Sequence, residues 1–234
     1  MKKTISILAV LVLVLSLCTS SFALDLSQLN YDDYFSARDL SGTWKAEDAQ
    51  EIALSGSVTI SEAGVYVLSG TVADGCVTVS APKDAKVQLV LNGVSISAAE
   101  GPCLFVDSAD KVFVTLAEGS ENSLNSASFA EGTELNAALY SKADLVLNGK
   151  GSLSISSAAH GILGKDDVKF GGGVYVITAV GRGISGKDSV RIFDGSYTIE
   201  SGKDPIRSKN TDKDGKGYVL IVGGTFYLNG NTAD

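Results

Sequence analysis

The 234-residue sequence predicts an all-β fold, a parallel β-helix, which is a solenoid with coils of about 22 residues. Three observations predict it. A lysine-centred motif recurs at a nearly fixed spacing, short β-branched runs alternate with Gly, Asn and Asp, and no segment carries a long amphipathic helical pattern. Self-similarity near 20 residues is typical of solenoids, in which residues one period apart lie on neighbouring coils about 4.8 Å apart.

The repeat is clearest in Gly-Ile-Leu-Gly-Lys-Asp at 161–166 and Gly-Ile-Ser-Gly-Lys-Asp at 183–188. Its lysine recurs at a nearly constant step, at Lys142, Lys165, Lys187 and Lys209. Stacking on successive coils would place these four ammonium groups in one column. The column is either a ligand-binding face or a salt ladder with neighbouring aspartates, and an exposed salt ladder contributes little stability.

A second element in each coil alternates apolar and polar residues after a Gly-containing turn. Alternation predicts one inward column of large side chains at Leu153, Tyr175, Tyr197 and Phe226. We interpret this column as interior packing. Tyr227 falls on the outward side and is the better candidate for contact with a sugar.

Residues 118–135 break the period and predict a long loop that lengthens one coil to about 35 residues. Cys76 and Cys103 each begin a coil, so they are expected on adjacent coils, either as a disulfide or as two buried thiols.

The predicted domain organisation begins with a secretory signal peptide at 1–23. Lys2 and Lys3 precede an apolar run, and Ser21-Phe22-Ala23 is typical of a cleavage site. Residues 24–50 are expected to be a lead-in segment, and 51–234 the β-helix. No capping element follows residue 226, so the chain is expected to be truncated or to pair end-on. The predicted location is extracellular or the cell surface, without a membrane span in the mature chain.

The net charge limits which classes of partner the protein is expected to bind. Removal of residues 1–23 leaves 17 basic and 27 acidic residues, a net charge of −10. This balance argues against a nucleic acid partner and provides carboxylates for hard cations such as calcium.

Two sets of residues are candidate calcium ligands. The stretch from Asn210 to Gly215 carries oxygen ligands at alternate positions before a glycine, at Asn210, Asp212 and Asp214, but lacks the closing Glu of an EF-hand. Asp166, Asp188 and Asp204 form a predicted column beside the lysines. Stacked carboxylates repel each other, so either calcium or the adjacent lysines must neutralise them.

His160 and Arg182 occupy one slot, just before the start of a coil, and are predicted to extend the basic side of the lysine column. Together with the lysines and Tyr227 they make up the predicted ligand-binding set. Four ammonium groups at coil spacing match the carboxylates of a polyuronate chain.

An ordered series of motifs across nearly all of 32–230 resembles the bacterial family of secreted carbohydrate-binding domain-containing proteins, which are right-handed parallel β-helices similar to pectate lyases. The motifs include DLSGTW at 39–44, GVYVLSGT at 64–71, LVLNGV at 89–94, ADKVFVTLAEG at 109–119 and GKDSVRI at 186–192. The resemblance implies binding of polysaccharide, from plant cell walls or acidic glycans, with calcium associated with the fold.

The function expected from these features is extracellular polysaccharide binding, with calcium as a structural or bridging ion. One alternative is a calcium-dependent lyase acting on polyuronate, with Lys165 or Lys187 as the base. A lysine base needs its pKa lowered, and adjacent acids have the opposite effect. The other alternative is an adhesin or scaffold fragment at the cell surface.

Overall fold

The computed structural model describes residues 30–231. These residues form parallel β-sheets with almost no helix, so the all-β prediction is confirmed. The predicted signal peptide and residues 24–29 of the predicted lead-in segment lie outside the described residues. None of the helices between residues 30 and 231 has the length and apolar character that crossing a membrane requires.

Helical structure is confined to the start of the described chain. A 3-10 turn at Tyr31–Asp33 is followed by α1 (Ala37–Ser41) and by a second 3-10 turn at Ala46–Asp48. The strands are β1 (Ala49–Leu54), β2 (Val58–Ile60), β3 (Gly64–Val72), β4 (Val77–Ser80), β5 (Lys86–Ala98), β6 (Leu104–Ser108), β7 (Lys111–Leu116), β8 (Glu121–Ser126), β9 (Ala137–Ser141), β10 (Asp144–Gly149), β11 (Ser152–Ser157), β12 (His160–Gly164), β13 (Asp167–Phe170), β14 (Val174–Ala179), β15 (Ile184–Gly186), β16 (Ser189–Ile192), β17 (Ser196–Ser201), β18 (Ile206–Ser208), β19 (Tyr218–Ile221) and β20 (Thr225–Gly230).

All strands except β1 and β3 fall into three series, and each strand pairs in parallel with its counterpart from a neighbouring repeat. Strand β3 pairs with β5, and β1 pairs with β3. The first series runs β5-β7-β10-β13-β16-β19, the second β5-β8-β11-β14-β17-β20, and the third β2-β4-β6-β9-β12-β15-β18. The long strand β5 belongs to two series, since its first half pairs with β7 and its second half with β8.

The pairing register follows the sequence repeat. Tyr175 pairs with Tyr197, and Ile162 with Ile184, each partner lying one full repeat further along the chain. The lengthened repeat is also present, because Leu104 pairs with Leu139.

The prediction of a continuous loop at 118–135 is wrong in part, since residues 121–126 form β8. The first inward position of β8 is Asn122 rather than an apolar residue, which hid the strand. Its buried amide accepts hydrogen bonds from the backbone N–H groups of Gly93 and Val94 and donates to the Ser152 carbonyl.

The inward side chains stack as predicted. Tyr175 and Tyr197 are fully buried, and their rings lie 5.2 Å apart and nearly parallel. Phe226 continues the stack at 4.9 Å from Tyr197. Each tyrosine hydroxyl donates to a backbone carbonyl, at Gly172 and Asp194. The column is therefore interior packing with its polar atoms satisfied, and it offers no surface to a sugar.

The second alternative for the two cysteines, a pair of buried thiols, is met in part, because Cys103 is buried and Cys76 is half-buried. They lie at neighbouring positions beside β4 and β6, since Val77 pairs with Leu104, and both are free thiols.

The outer face of the first series is covered by residues 34–44, which we call the N-terminal clasp. Its anchor is Asp39, a fully buried residue whose carboxylate accepts from Lys169 Nζ at 3.1 Å and lies 3.8 Å from Lys111 Nζ. Burial raises the pKa of Asp39, but the Ser36 N–H and the two lysines outweigh it and hold the pKa below its usual value.

Further contacts align the clasp on the sheet. The Asn148 side chain donates to the Asp39 carbonyl, and the Arg38 guanidinium lies 4.4 Å from the centre of the Phe113 ring. Asp39 also closes a capping box with Ser36 at the start of α1. The sequence predicted only a lead-in segment here, whereas residues 34–44 cover part of the outer face of the sheet.

We expect Asp39→Ala to lower the free energy of unfolding by about 3 kcal/mol, because it leaves the Lys169 ammonium buried without a partner. Chemical denaturation monitored by circular dichroism measures this change. Asp48→Ala, an exposed carboxylate outside the clasp, is the matched control and should change stability by less than about 0.5 kcal/mol. Equal effects of the two substitutions would contradict the assigned role of Asp39.

Candidate functional site

The four predicted lysines lie at equivalent positions, since each directly follows the last residue of a third-series strand. The Lys165 N–H donates to the Ser141 carbonyl at 2.8 Å, and the Lys187 N–H donates to the Gly164 carbonyl at 2.9 Å. Gly186 pairs with Ser208, which places Lys209 next in line. We call these four residues the lysine column.

Two members of the lysine column are neutralised by acidic side chains. Lys142 Nζ lies 2.7 Å from Asp107, and Lys165 Nζ lies 3.5 Å from Glu134. The hydrogen bond with Asp107 raises the pKa of Lys142, so this lysine is held in its charged form. Lys187 and Lys209 are exposed and make no ion pair within residues 30–231. The available positive charge is therefore at the Lys187–Lys209 end.

The predicted slot of His160 and Arg182 is present, and it contains Asp204 as well. The Arg182 N–H donates to His160 Nδ1 at 2.9 Å, so the neutral imidazole carries its proton on Nε2. Burial, followed by the charges of Arg182 and Lys203, lowers the pKa of His160 to about 4. His160 is thus neutral at pH 7 and adds no positive charge to the ligand-binding face.

Asp204 lies beside two arginines rather than in the column of Asp166 and Asp188. Its carboxylate is 3.2 Å from Arg182 Nε and 3.1 Å from Arg207 Nη1. Burial raises the pKa of Asp204, but these two hydrogen bonds outweigh it and lower the pKa. Both arginines are partly neutralised by this carboxylate.

The third place after Asp166 and Asp188 is taken by Asn210, whose side-chain amide donates to Asp188 at 2.5 Å. Burial raises the pKa of Asp166 to about 6, helped by the negative charge of Asp144 and by a hydrogen bond to Asp188. Burial would also raise the pKa of Asp188, but the hydrogen bonds from Asn210 and Asp166 outweigh it. Below about pH 6 the two carboxyls therefore share a proton, with Asp166 as the donor.

The predicted calcium loop does not gather its oxygen ligands. The Asn210 side-chain oxygen accepts the Asp212 N–H at 2.9 Å, closing a local turn, and both Asp212 and Asp214 are exposed. Among residues 30–231, no group of three His, Cys, Asp or Glu side chains is arranged to hold a metal ion.

Tyr227 is 61% exposed, as its outward position predicts, but it belongs to the second series. It pairs in register with Thr198, whereas the lysine column follows the third series. The predicted ligand-binding residues therefore lie on two different sheets.

The structure also contains a groove that the sequence reading missed. Its cavity volume is about 690 Å³. One wall is the last part of the clasp, Leu40 to Trp44. Glycine-rich turns between the first and second series also line it, at Gly149, Gly171 to Gly173 and Gly195. The remaining lining residues are Leu116, Glu118, Lys150, Val174, Asp194 and Ser196. We call it the Trp44 groove.

Local geometry explains why Trp44 reaches this groove. Helix α1 ends at Gly42 in the left-handed conformation, with φ of +57°. The close approach of Gly42 to Gly149 leaves no room for a Cβ, which would lie 2.7 Å from the Gly149 Cα. The Gln88 side chain then donates to the Thr43 carbonyl at 3.1 Å, which fixes the chain immediately before Trp44. The sequence signal was present in the motif at 39–44, but the partner of that motif lies far along the chain.

Parallel strands in three series, with charged columns and a groove on their outer surface, define an all-β protein built on parallel sheets. The family model described as "carbohydrate-binding domain-containing protein" matches residues 55–234. The chain belongs to this family.

Two known proteins support this assignment. A carbohydrate-binding domain-containing protein of Acetivibrio thermocellus is 40% identical over 177 residues, which are 73% of this chain. The chain spans 62% of the length of that relative. The solved structure of the polysaccharide lyase-like protein from C. thermocellum, a gadolinium derivative, is 32% identical with a TM-score of 0.70, covering 74% of this chain and 79% of that one.

We expect Asp166→Asn to stabilise the protein at pH 7.5 but not at about pH 4. Because the pKa of folded Asp166 is raised from 3.8 to about 6, the stability that this group contributes is complete below about pH 3.8 and is lost as the pH rises through 6. Asparagine keeps the hydrogen bond to Asp188 without that loss.

The expected gain in Tm at pH 7.5 is about 2–4 °C, which is roughly 1 kcal/mol for a domain of this size. Thermal unfolding in metal-free buffer measures it. The matched control is Asp84→Asn, an exposed carboxylate. A gain of the same size at both pH values would contradict the shared proton.

Proposed function

We propose that this protein is an extracellular polysaccharide-binding protein, and that acidic glycans such as those of plant cell walls are among its ligands. The family supports polysaccharide binding. The single observation that carries the acidic specificity is the exposed pair Lys187 and Lys209, which are without acidic partners among residues 30–231 although the chain as a whole has a net charge of −8. The proposal includes a right-handed solenoid with one sequence repeat in each coil and a secretory signal peptide at 1–23.

Charge arrangement supports this choice of ligand. Lys187 and Lys209 are one repeat apart, so their backbones are about 4.8 Å apart across the parallel ladder. A polyuronate presents carboxylates at regular intervals, and a flexible lysine can meet each one as a point charge. Contacts of this kind on an exposed surface are weak individually and are screened by salt, so affinity depends on several contacts along one chain.

Calcium is part of the proposal, and the residues that best fit it are Asp166 and Asp188. Their carboxyls are close enough to share a hydrogen bond, and Asp144 adds to the negative charge that raises the pKa of Asp166. Hard cations prefer such oxygen ligands. The neighbouring structure from C. thermocellum is a gadolinium derivative, and lanthanide ions share that preference for oxygen. Bound calcium would neutralise this pair and bridge it to a glycan carboxylate.

We prefer binding to lyase chemistry because acidic side chains lie against two lysines of the lysine column, among them Lys165, one of the two candidate bases. The pKa of Lys142 is raised by its hydrogen bond with Asp107, and Lys165 lies beside Glu134. The contact with Asp107 favours the charged form of Lys142, which cannot accept a proton. Absorbance of unsaturated product during incubation with polygalacturonate tests the lyase alternative directly.

We expect the double substitution Lys187→Ala and Lys209→Ala to weaken binding to polygalacturonate about tenfold, which corresponds to roughly 1.4 kcal/mol. Affinity electrophoresis in gels containing the polymer measures the change. Raising the salt concentration should weaken the wild type more than the variant, because the variant lacks the screened contacts.

The control is Lys83→Ala with Lys86→Ala, two exposed lysines outside the lysine column. A tenfold loss in this control would show that net charge, and not the lysine column, determines binding. Binding of polygalacturonate by the wild type with no loss in the test variant would contradict the assigned face.

We expect millimolar CaCl₂ to raise the Tm of the wild type and to leave the Tm of the Asp166→Asn, Asp188→Asn double variant within about 1 °C of its value in chelator. A ligand that binds the native state stabilises it by mass action. Differential scanning calorimetry with CaCl₂, MgCl₂ and chelator makes the comparison. An equal rise in the double variant would place the calcium site elsewhere.

A further inference from the structure

We propose that the Trp44 groove is a second carbohydrate subsite, one that takes a neutral pyranose of a polysaccharide chain. The inference rests on the proposed polysaccharide-binding function. It adds a site on a different part of the molecule from the lysine column, with the opposite charge preference. Trp44, the glycine turns beneath it and the outer face of the second series carry the argument.

Trp44 is the only tryptophan in the sequence, and its side chain is partly exposed at the groove. It makes no hydrogen bond or ring contact with other residues between 30 and 231, and its indole N–H is not a buried donor. Large aromatic side chains in folded proteins usually pack against other groups, and tryptophan usually pairs its N–H when buried. A sugar satisfies both parts of this side chain, since its C–H face packs on the ring and a hydroxyl accepts from the N–H.

The charges around the groove favour a neutral sugar over a uronate. Lys150 Nζ lies 3.4 Å from the Glu118 carboxylate, so these two charges offset each other. Asp194 remains on the rim, and one of its oxygens accepts the Gly195 N–H at 2.8 Å. The groove therefore carries a small negative surplus, which repels a carboxylate but provides hydrogen-bond acceptors for hydroxyl groups.

The floor of the groove is backbone. Gly149, Gly173 and Gly195 have φ values of +100°, +104° and +132°, and a Cβ at each would meet neighbouring protein atoms, so these turns require glycine and present their peptide groups to the groove. The groove is large enough for sugar rings at about 690 Å³, and it has the mixture of apolar surface and a few polar groups that small-molecule sites share.

The groove opens onto an uncharged strip that continues across the coils. Val174 and Ser196 line the groove and occupy the first outward position of β14 and β17. Two residues further along each strand, the outward positions form a column across β11, β14, β17 and β20: Ser154, Val176, Thr198 and Tyr227. A chain that leaves the groove along this column would run across the strands and reach the exposed ring of Tyr227.

The test uses the single tryptophan as its own reporter. Titration of the wild-type chain with neutral hexasaccharides that differ in their sugar and linkage (β-1,4-glucan, β-1,4-xylan and β-1,4-mannan) is expected to shift the tryptophan emission in a saturable way for at least one of them. Hexagalacturonate should leave the tryptophan emission unchanged while it still binds at the lysine column.

Three variants separate contact from folding. Ser196→Arg places a long side chain at a residue that lines the groove and keeps Trp44 as reporter, so we expect it to abolish the emission shift. Trp44→Ala should weaken binding of the same hexasaccharide at least tenfold by calorimetry, while Trp44→Phe should stay within about threefold because it keeps an aromatic ring. Lys45→Ala, an exposed neighbour that does not line the groove, is the matched control and should bind as the wild type does.

Each contrary outcome has a distinct meaning. Calorimetric binding of a neutral hexasaccharide with no change in tryptophan emission overturns the groove as a subsite and leaves the proposed function in place. An emission shift by hexagalacturonate alone overturns the neutral specificity. Failure to bind any neutral or acidic polysaccharide overturns the groove proposal and the proposed function together.

Discussion

The rest of this structure depends on the register between neighbouring repeats. Each strand hydrogen-bonds in parallel with a counterpart one repeat away, so every inward residue stacks on an inward residue of the next repeat. The stacked rings of Tyr175, Tyr197 and Phe226 are the clearest inward result. The same register stacks the outward residues, which is why lysines lie beside lysines and Asp166 lies beside Asp188. Because like charges opposite each other are unfavourable, each outward column has to be neutralised, protonated or bound to a ligand.

The structure shows two of these outcomes, neutralisation by acidic side chains and protonation of a carboxyl. Asp107 and Glu134 neutralise half of the lysine column, and the raised pKa of Asp166 lets one proton serve two carboxyls below about pH 6. Lys187 and Lys209 are left with neither kind of compensation among the described residues, which makes them the part of the column suited to an acidic ligand. Surface recognition in this protein is thus a consequence of the stacking that stabilises its interior.

The sequence allowed prediction of features that follow from the repeat. The strand pairing, the inward ring column and the position of the lysine column could be predicted because they need only a period and an alternation. Features built from residues far apart in sequence could not be predicted. The clasp depends on Asp39 meeting Lys169, 130 residues further along, and nothing local identifies that pair. Asp204 was grouped with Asp166 by proximity to the lysines, whereas the register places it beside Arg182. Strand β8 was hidden because a buried asparagine replaces the expected apolar residue, and the Trp44 groove exists only once the clasp lies on the sheet.

The two proposed contacts divide ligands by charge. We propose that the exposed lysines bind acidic glycans, whereas the groove has glycine-rich turns and a slight negative surplus suited to neutral sugars. A wall polysaccharide mixture contains both kinds of chain, and weak contacts at two places would combine into a useful affinity. The most direct test of this account is a crystal structure of the protein soaked with the tightest-binding neutral hexasaccharide together with trigalacturonate. The account predicts a neutral ring against Trp44 and a uronate carboxylate within reach of Lys187 and Lys209. Sugar density elsewhere, with both of these places empty, would contradict it.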